Sequence, residues 1–305
     1  MNINDIVNRY SLLYGDTHPL IKELERSFNA TTKSEQFSSL FKVATEFAMN
    51  DDLRPHAEMV RDTLGEASNI HDIVNVITGN QYHIPQGLRH ILFQFDSNIL
   101  NDALSQGQIK SKLWVANTVN ELDLNLGNMV YVCAGWYGLL SAILFEQCSD
   151  KVEKIISFDL DSSAENIADM LNSKYVSDNT RFKAITKDIH DLEYYRDEFE
   201  ATYYEYVDAQ SCRIETHAMQ VRRATCVINT SCEHIEDFDD WWDNIPDGML
   251  VIMQNNNFTE HNDDTVCNTI VSEQRWVDKL NLDELYYRGT LELPKYKRFM
   301  VIGRK

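Results

Sequence analysis

Three aspartates and a glutamate–histidine pair carry most of the chemistry this sequence offers. The run VYVCAGWYGLLSAILFE, residues 130 to 146, places Gly135 and Gly138 between two apolar stretches. A strand, a turn and a helix built this way offer unpaired backbone N–H groups at the helix start, and glycine lets the backbone come close to a bound group. The next apolar stretch, IISFDLDSS, carries Asp159 about 20 residues beyond Gly138, where a doubly wound sheet sets the carboxylate that accepts ribose hydroxyls. Asp161 stands nearby, also placed as the N-cap of the helix that follows. A third stretch, FKAIT, runs into Asp188 and Ile189.

The second set lies beyond the apolar run at Cys226 to Asn229. Asn229, Thr230 and Ser231 end that run, and Glu233 and His234 follow. An imidazole titrates near neutral pH and suits proton removal; a carboxylate next to it orients the ring or holds polar groups of a substrate. A histidine after a glutamate at a helix start also caps or packs. Further on, Gln254, Asn255, Asn256, Asn257, Phe258, Thr259, Glu260 and His261 form a dense polar group. Consecutive amides are costly to bury without partners, which predicts a loop. Ser231, Gln254, Asn256 and His261 are the substrate-contact candidates there, with a solvated turn as the alternative.

Positioning these residues requires a sheet. From residue 112 the pattern alternates helices with short apolar strands. Strands are expected at Met129 to Cys133, Lys154 to Phe158, Phe182 to Ile185, Cys226 to Asn229, Met249 to Met253, Leu285 to Leu293 and Arg298 to Gly303. Helices are expected at Ser111 to Leu122, Gly138 to Cys148, Ser162 to Lys174 and through Trp241 and Trp242. This alternation predicts an α/β fold, a Rossmann-like doubly wound and mostly parallel sheet over 111–305. Residues 3 to 107 carry helical spacing throughout, which predicts an all-helical N-terminal region over 1–110. The tyrosine-rich stretch between Asp188 and Cys226 exceeds what a connection needs and is expected to build a lid or to pack on the N-terminal helices.

Composition narrows the classes. With 305 residues, 48 acidic against 28 basic and a formal charge of −20, the chain repels phosphate backbones and anionic membranes, so nucleic acid is disfavoured as a partner. The 130–146 run is short of the ~20 apolar residues of a span and is broken by its glycines. The N-terminus, MNINDIVNRYSLLYG, lacks the positive start and apolar core of a signal peptide, which predicts a cytoplasmic protein. The six cysteines form no C-x-x-C pair, so reduced thiols are expected rather than a zinc site. A homodimer is left open.

Glycine turn, acidic strand end and third-strand acid, in that order, resemble the class I S-adenosylmethionine (SAM)-dependent methyltransferase family over roughly residues 112 to 305. The resemblance implies SAM as cofactor, with Ala134, Gly135, Trp136 and Gly138 beside its methionine portion, Asp159 on the ribose and Asp188 on the adenine amino group. Leu160 and Ile189 would flank the adenine ring, and Asn229 would stand at the fourth-strand edge. The family's turn carries alternating glycines after an acidic residue; here Val132, Ala134, Trp136 and Gly138 hold those places. The segment CVINTSCEHIEDFDDWWDNIPDGMLVIMQNNNF is similar to the part of small-molecule and ribose O-methyltransferases that carries a Glu-His pair. It implies His234 as base, Glu233 beside it, and methyl transfer to an oxygen or nitrogen of a small-molecule acceptor. A second glutamate used by metal-dependent members is replaced by Thr230, so no metal is expected. SFDLDSSAENIADML also resembles nicotianamine synthase, which implies aminocarboxypropyl transfer as an alternative; a SAM-binding module without turnover is a third.

Overall fold

The computed structural model describes residues 106–305 apart from 173, 174, 177–180, 196, 207–211, 222 and 259–265. The helices expected ahead of residue 106, and His261, lie outside the described residues. Ser111–Tyr204 and Ile214–Lys305 form one compact unit.

The unit is organised by a seven-stranded sheet. Strands β1 (Val130–Cys133), β2 (Ile155–Asp159), β3 (Phe182–Thr186), β6 (Cys226–Asn229) and β7 (Leu250–Asn256) run parallel. β8 (Glu284–Glu292) and β9 (Lys297–Arg304) close one edge, with β9 antiparallel to both β7 and β8. The order is β3-β2-β1-β6-β7-β9-β8. β1, β6 and β7 are buried along their whole length, as strands covered on both faces must be, and this is why β1, most of β6 and the first part of β7 read as apolar runs. The chain leaves β1 toward β2 and β3 and returns to the other side of β1 with β6. Strand order therefore reverses between β1 and β6, and the crevice at their carboxyl ends is where sheets of this kind bind ligands.

Four helices follow the expected alternation, α1 (Gln106–Glu121), α2 (Leu139–Gln147), α3 (Ser162–Leu171) and α4 (Phe238–Asn244), and a further one, α5 (Glu273–Leu280), was not expected. α3 starts where Asp161 accepts the Ser163 N–H and stops short of the Lys174 expected for it. One face of the sheet is filled by aromatic side chains. Tyr131 lies 5.0 Å from Phe158 and 5.9 Å from Tyr194, and Trp241 donates its indole N–H to the Tyr194 hydroxyl at 3.0 Å, which keeps a buried polar tip satisfied.

One expectation is corrected. The amides placed in a loop are in β7: Gln254, Asn255 and Asn256 are buried. Each side chain donates to a fixed partner, respectively the Ser111 carbonyl, the Asn268 carbonyl and the Glu233 carboxylate. The rule against burying amides applies only when partners are missing, and here distant segments supply them. The stretch between Asp188 and Cys226 forms a two-stranded ribbon, β4 (Asp197–Tyr206) with β5 (Cys212–Val221). Of its approach tyrosines Tyr194 is buried in the core and Tyr195 is exposed.

The first glycine of the 130–146 turn is fixed by this sheet. A Cβ on Gly135 would stand 2.0 Å from Ser157 Oγ of β2, closer than any side chain tolerates. Gly135→Ala is expected to lose about 1–3 kcal/mol of stability through overpacking, and adding Ser157→Gly should recover most of it; urea denaturation of the single and double variants measures both.

Candidate functional site

The turn after β1 carries more strain than its glycines suggest. Ala134 and Trp136 both hold left-handed backbone, with φ of 54° and 46°, as does Gly138 at 72°. Non-glycine residues in that region cost on the order of 1 kcal/mol each and persist only where their surroundings hold them. Trp136 is held by two contacts: its N–H donates to Asp159 Oδ2 at 2.7 Å, and its ring stacks on Tyr137 with centroids 4.5 Å apart. Gly138, the N-cap of α2, lies against α3, where a Cβ would meet Asn172 Nδ2 at 2.7 Å. Gly135 and Gly138 thus serve close packing to β2 and α3; of the three left-handed positions only Gly138 is glycine, and the other two are filled by alanine and tryptophan.

Asp159 is the hinge of the arrangement. Its Oδ1 accepts the Asp161 N–H at 3.0 Å while Oδ2 holds Trp136, so each oxygen keeps a lone pair for a further donor. Burial raises its pKa, while backbone N–H groups of Asp161 and Trp136 pull the other way. Leu160 beside it is 70% exposed, whereas Ile189 is buried in the core; only Leu160 offers an open apolar face.

Asp188 ends the connection after β3 and accepts the N–H and ring Nδ1 of His190 at 2.9 Å each. Burial works to raise its pKa, but these bonds and the His190 charge bring it below the ordinary value. Asp159 and Asp188 thus follow two adjacent strands paired to their last residues, Asp159 opposite Thr186.

The second half of the site forms after β6. Asn229 accepts the Ser231 N–H at 2.8 Å and is fully buried. Cys232–His234 make one turn of 3-10 helix, which turns Glu233 inward and His234 outward. Glu233 is 2% exposed and its Oε1 accepts from Arg298 Nη2 at 2.8 Å and Asn256 Nδ2 at 2.5 Å. His234 Nε2 lies 4.0 Å from that same oxygen, on a side chain 38% exposed. Arg298 comes from β9, directly opposite Asn256 in the register, and also donates to the Thr230 carbonyl. Glu233, Arg298, Asn256 and Thr230 are therefore one buried network at the carboxyl ends of β6 and β7. Glu233 Oε2, Asn229 Nδ2 and Arg298 Nε have no hydrogen-bond partner among the described residues, which leaves acceptor and donor capacity for water or a ligand.

Two groups brought together here escape a reading by motif. Arg298 carries a faint signal, a cation at the head of the apolar run FMVIG. His190 carries less, standing two residues past Asp188 in DIHD. Gln254, a candidate for substrate contact, instead spends its amide on the Ser111 carbonyl at 3.0 Å and ties α1 to the sheet.

No family model matches the sequence, and comparison with curated proteins finds no relative. Among solved structures the chain is similar to magnesium protoporphyrin IX methyltransferase (ChlM) from Synechocystis PCC 6803 with bound SAH. The two share 9% identity over 72% of this chain and 93% of that one, with a TM-score of 0.45. It is also similar to the N-methyltransferase NodS from Bradyrhizobium japonicum WM9, at 8% identity, 64% and 96% coverage and a TM-score of 0.41. A third is the [4+2]-cyclase SpnF, at 11% identity, 63% and 80% coverage and a TM-score of 0.42. Likeness of this degree leaves the chemistry to be argued from the residues.

Proposed function

We propose that this chain is an S-adenosylmethionine-dependent methyltransferase that acts on an oxygen or nitrogen of a small-molecule acceptor. The observation that carries the reading is Asp159, a partly exposed carboxylate bonded to the strained turn after β1 at the point where strand order reverses. Its two remaining lone pairs suit a vicinal diol, and exposed Leu160 beside it suits a flat apolar ring. The residues present therefore fit a nucleoside cofactor. SAM supplies a methyl group on a sulfonium, already electrophilic, so the protein has chiefly to orient a nucleophile and take its proton.

His234 is the group for that proton. It is exposed at the mouth of the edge that Asn229 and Ser231 line, and Glu233 Oε1 at 4.0 Å offsets the positive charge it gains. Glu233 itself is held by Arg298 and Asn256, so it acts as a fixed counter-charge. Ser231, half-buried at the end of β6, and Asn256, whose Oδ1 accepts the Phe258 N–H, shape the acceptor side. The N-terminal region over residues 1–110 is read as a separate cap or substrate domain.

Calorimetry with SAM, with NAD as control, tests the reading. Asp159→Ala is expected to weaken SAM binding roughly 30-fold, about 2 kcal/mol for two hydrogen bonds to one carboxylate. His234→Ala should keep binding and lose turnover. S-adenosylhomocysteine as product supports methyl transfer; methylthioadenosine would instead establish aminocarboxypropyl transfer, and intact binding with no turnover on any acceptor a binding module. Preference for NAD over SAM sinks the proposal.

A further inference from the structure

His190 joins two loops of the candidate site. Its ring Nδ1 lies 2.9 Å from Asp188 Oδ1 and its Nε2 lies 3.1 Å from the Glu236 carbonyl oxygen. Both partners are pure acceptors, so both bonds form only when both ring nitrogens carry hydrogen, that is, in the imidazolium. The backbone joins in: the His190 N–H donates to Asp188, and its carbonyl accepts from Asn244 Nδ2 of α4 at 3.2 Å. Glu236 stands two residues past His234 and next to Asp237, whose backbone is left-handed at φ 46°. One side chain thus connects the acid at the end of the third strand with the strained segment that carries the candidate base.

We propose that His190 is a positioning residue: its charged ring clamps the Asp188 turn to the Glu236–Asp237 segment, fixing the nucleotide half of the site relative to His234. The inference rests on the nucleotide-site reading above. Bonding Oδ1 to the ring and N–H of His190 fixes the carboxylate's orientation and leaves Oδ2 for a ligand's amino group. Loss of the ring proton keeps one of the two ring bonds and breaks the other. On its own turn the ring meets the Asp188 carboxylate; from the segment before α4 it meets the Glu236 and Asp237 backbones, while the Asn244 amide of α4 donates to the His190 backbone carbonyl.

Burial works to lower the His190 pKa, but the hydrogen bond and charge of Asp188 outweigh it and leave the pKa above its ordinary value. A histidine raised in the fold gives stability that is complete below the unfolded pKa near 6.5 and is lost as pH rises through the folded pKa. The clamp is therefore closed below the folded pKa of the ring and opens as pH rises through it.

The full-length chain tests this in two measurements. Calorimetric SAM affinity of the wild type is expected to fall roughly tenfold, one charge-assisted hydrogen bond, as pH rises from about 6 to about 9. His190→Ala should bind weakly with a flat profile, and His190→Gln, whose amide carries two N–H donors, should be flat with affinity partly restored. NMR titration of the apo protein should show the His190 ring and the Glu236–Phe238 amides moving with one common pKa, above about 6.5. A ring that titrates at or below that value, or amides that ignore it, overturns the clamp, as does a wild-type affinity profile unchanged by His190→Ala. Absence of SAM binding at every pH, with the shared titration intact, sinks the proposed cofactor and leaves the clamp standing.

Discussion

Arg298→Met is expected to destabilise the protein by about 3–5 kcal/mol, because it leaves the buried Glu233 carboxylate without its cation. Glu233 is 2% exposed and Arg298 4%, so neither charge has solvent to fall back on. Asn256 would remain as the hydrogen-bond donor to Oε1, a neutral group where a guanidinium stood, with His234 Nε2 farther off at 4.0 Å. At roughly 2–4 °C per kcal/mol for a domain of this size, the melting temperature should drop by about 10 °C. Removing both charges distinguishes a lost ion pair from lost packing. Glu233→Gln added to Arg298→Met keeps the shape and hydrogen-bonding capacity of the acid, and should recover most of the loss in a double-mutant cycle. Thermal denaturation of the four proteins reads the coupling; a single variant within 1 kcal/mol of wild type would mean that Glu233 takes up a proton or water in place of the arginine. His234 adds a functional readout, since its counter-charge should survive in neither Glu233→Gln nor the double variant, and turnover should stay low in both even where stability returns.

This network marks the limit of what periodicity reveals. The parallel strands were legible because they are largely buried and read as short, mostly apolar runs; Cys226 to Asn229 is observed with the expected bounds. β7 broke the rule, since it continues through Gln254, Asn255 and Asn256, whose partners are contributed by Ser111, Asn268 and Glu233, far away in the chain. Helix α5 was missed for a different reason. Its buried face consists of Trp276 and Leu280 alone, too few apolar residues to print a helical period. The acids were placed by order along the chain: Asp159 and Asp188 follow adjacent parallel strands, and parallel pairing transmits sequence order into position along a sheet edge. Arg298 reaches Glu233 through an antiparallel strand near the other end of the unit, a juxtaposition set by register. The glycines were read as ligand-approach residues, yet their immediate demand comes from Ser157 and Asn172, contacts that exist only once the sheet and α3 are assembled.

Lys183 is expected to matter to stability as much as Arg298, from the outer edge of the sheet. It lies on β3, the edge strand of the sheet, fully buried, with Nζ between Glu165 Oε1 at 3.3 Å and Asp169, and donating to the Ala184 carbonyl at 2.8 Å. A buried cation on an edge strand discourages pairing with another chain, and the two acids of α3 make it tolerable while also holding the β3 backbone: Asp169 accepts the Ala184 N–H and Glu165 the Thr186 N–H. Burial pushes the Asp169 carboxyl up to about 6 even against the pull of Lys183. A raised carboxylate contributes stability that is present below its unfolded pKa near 4 and is lost as pH rises through the folded value. Lys183→Met removes the pull and sends Asp169 higher still. Its cost should therefore be largest on the alkaline side, about 3–5 kcal/mol at pH 8, and should shrink as the solution is taken toward pH 5 and Asp169 binds its proton. Urea denaturation at the two pH values, followed by tryptophan fluorescence, gives the gap directly. Asp169→Asn in the Lys183→Met background keeps the acceptor for Ala184 and removes the charge, so it should restore stability at pH 8 and flatten the pH dependence. A gap that stays constant between pH 5 and pH 8 would show that the loss comes from packing of the lysine stem, and that Asp169 does not carry the charge assigned to it.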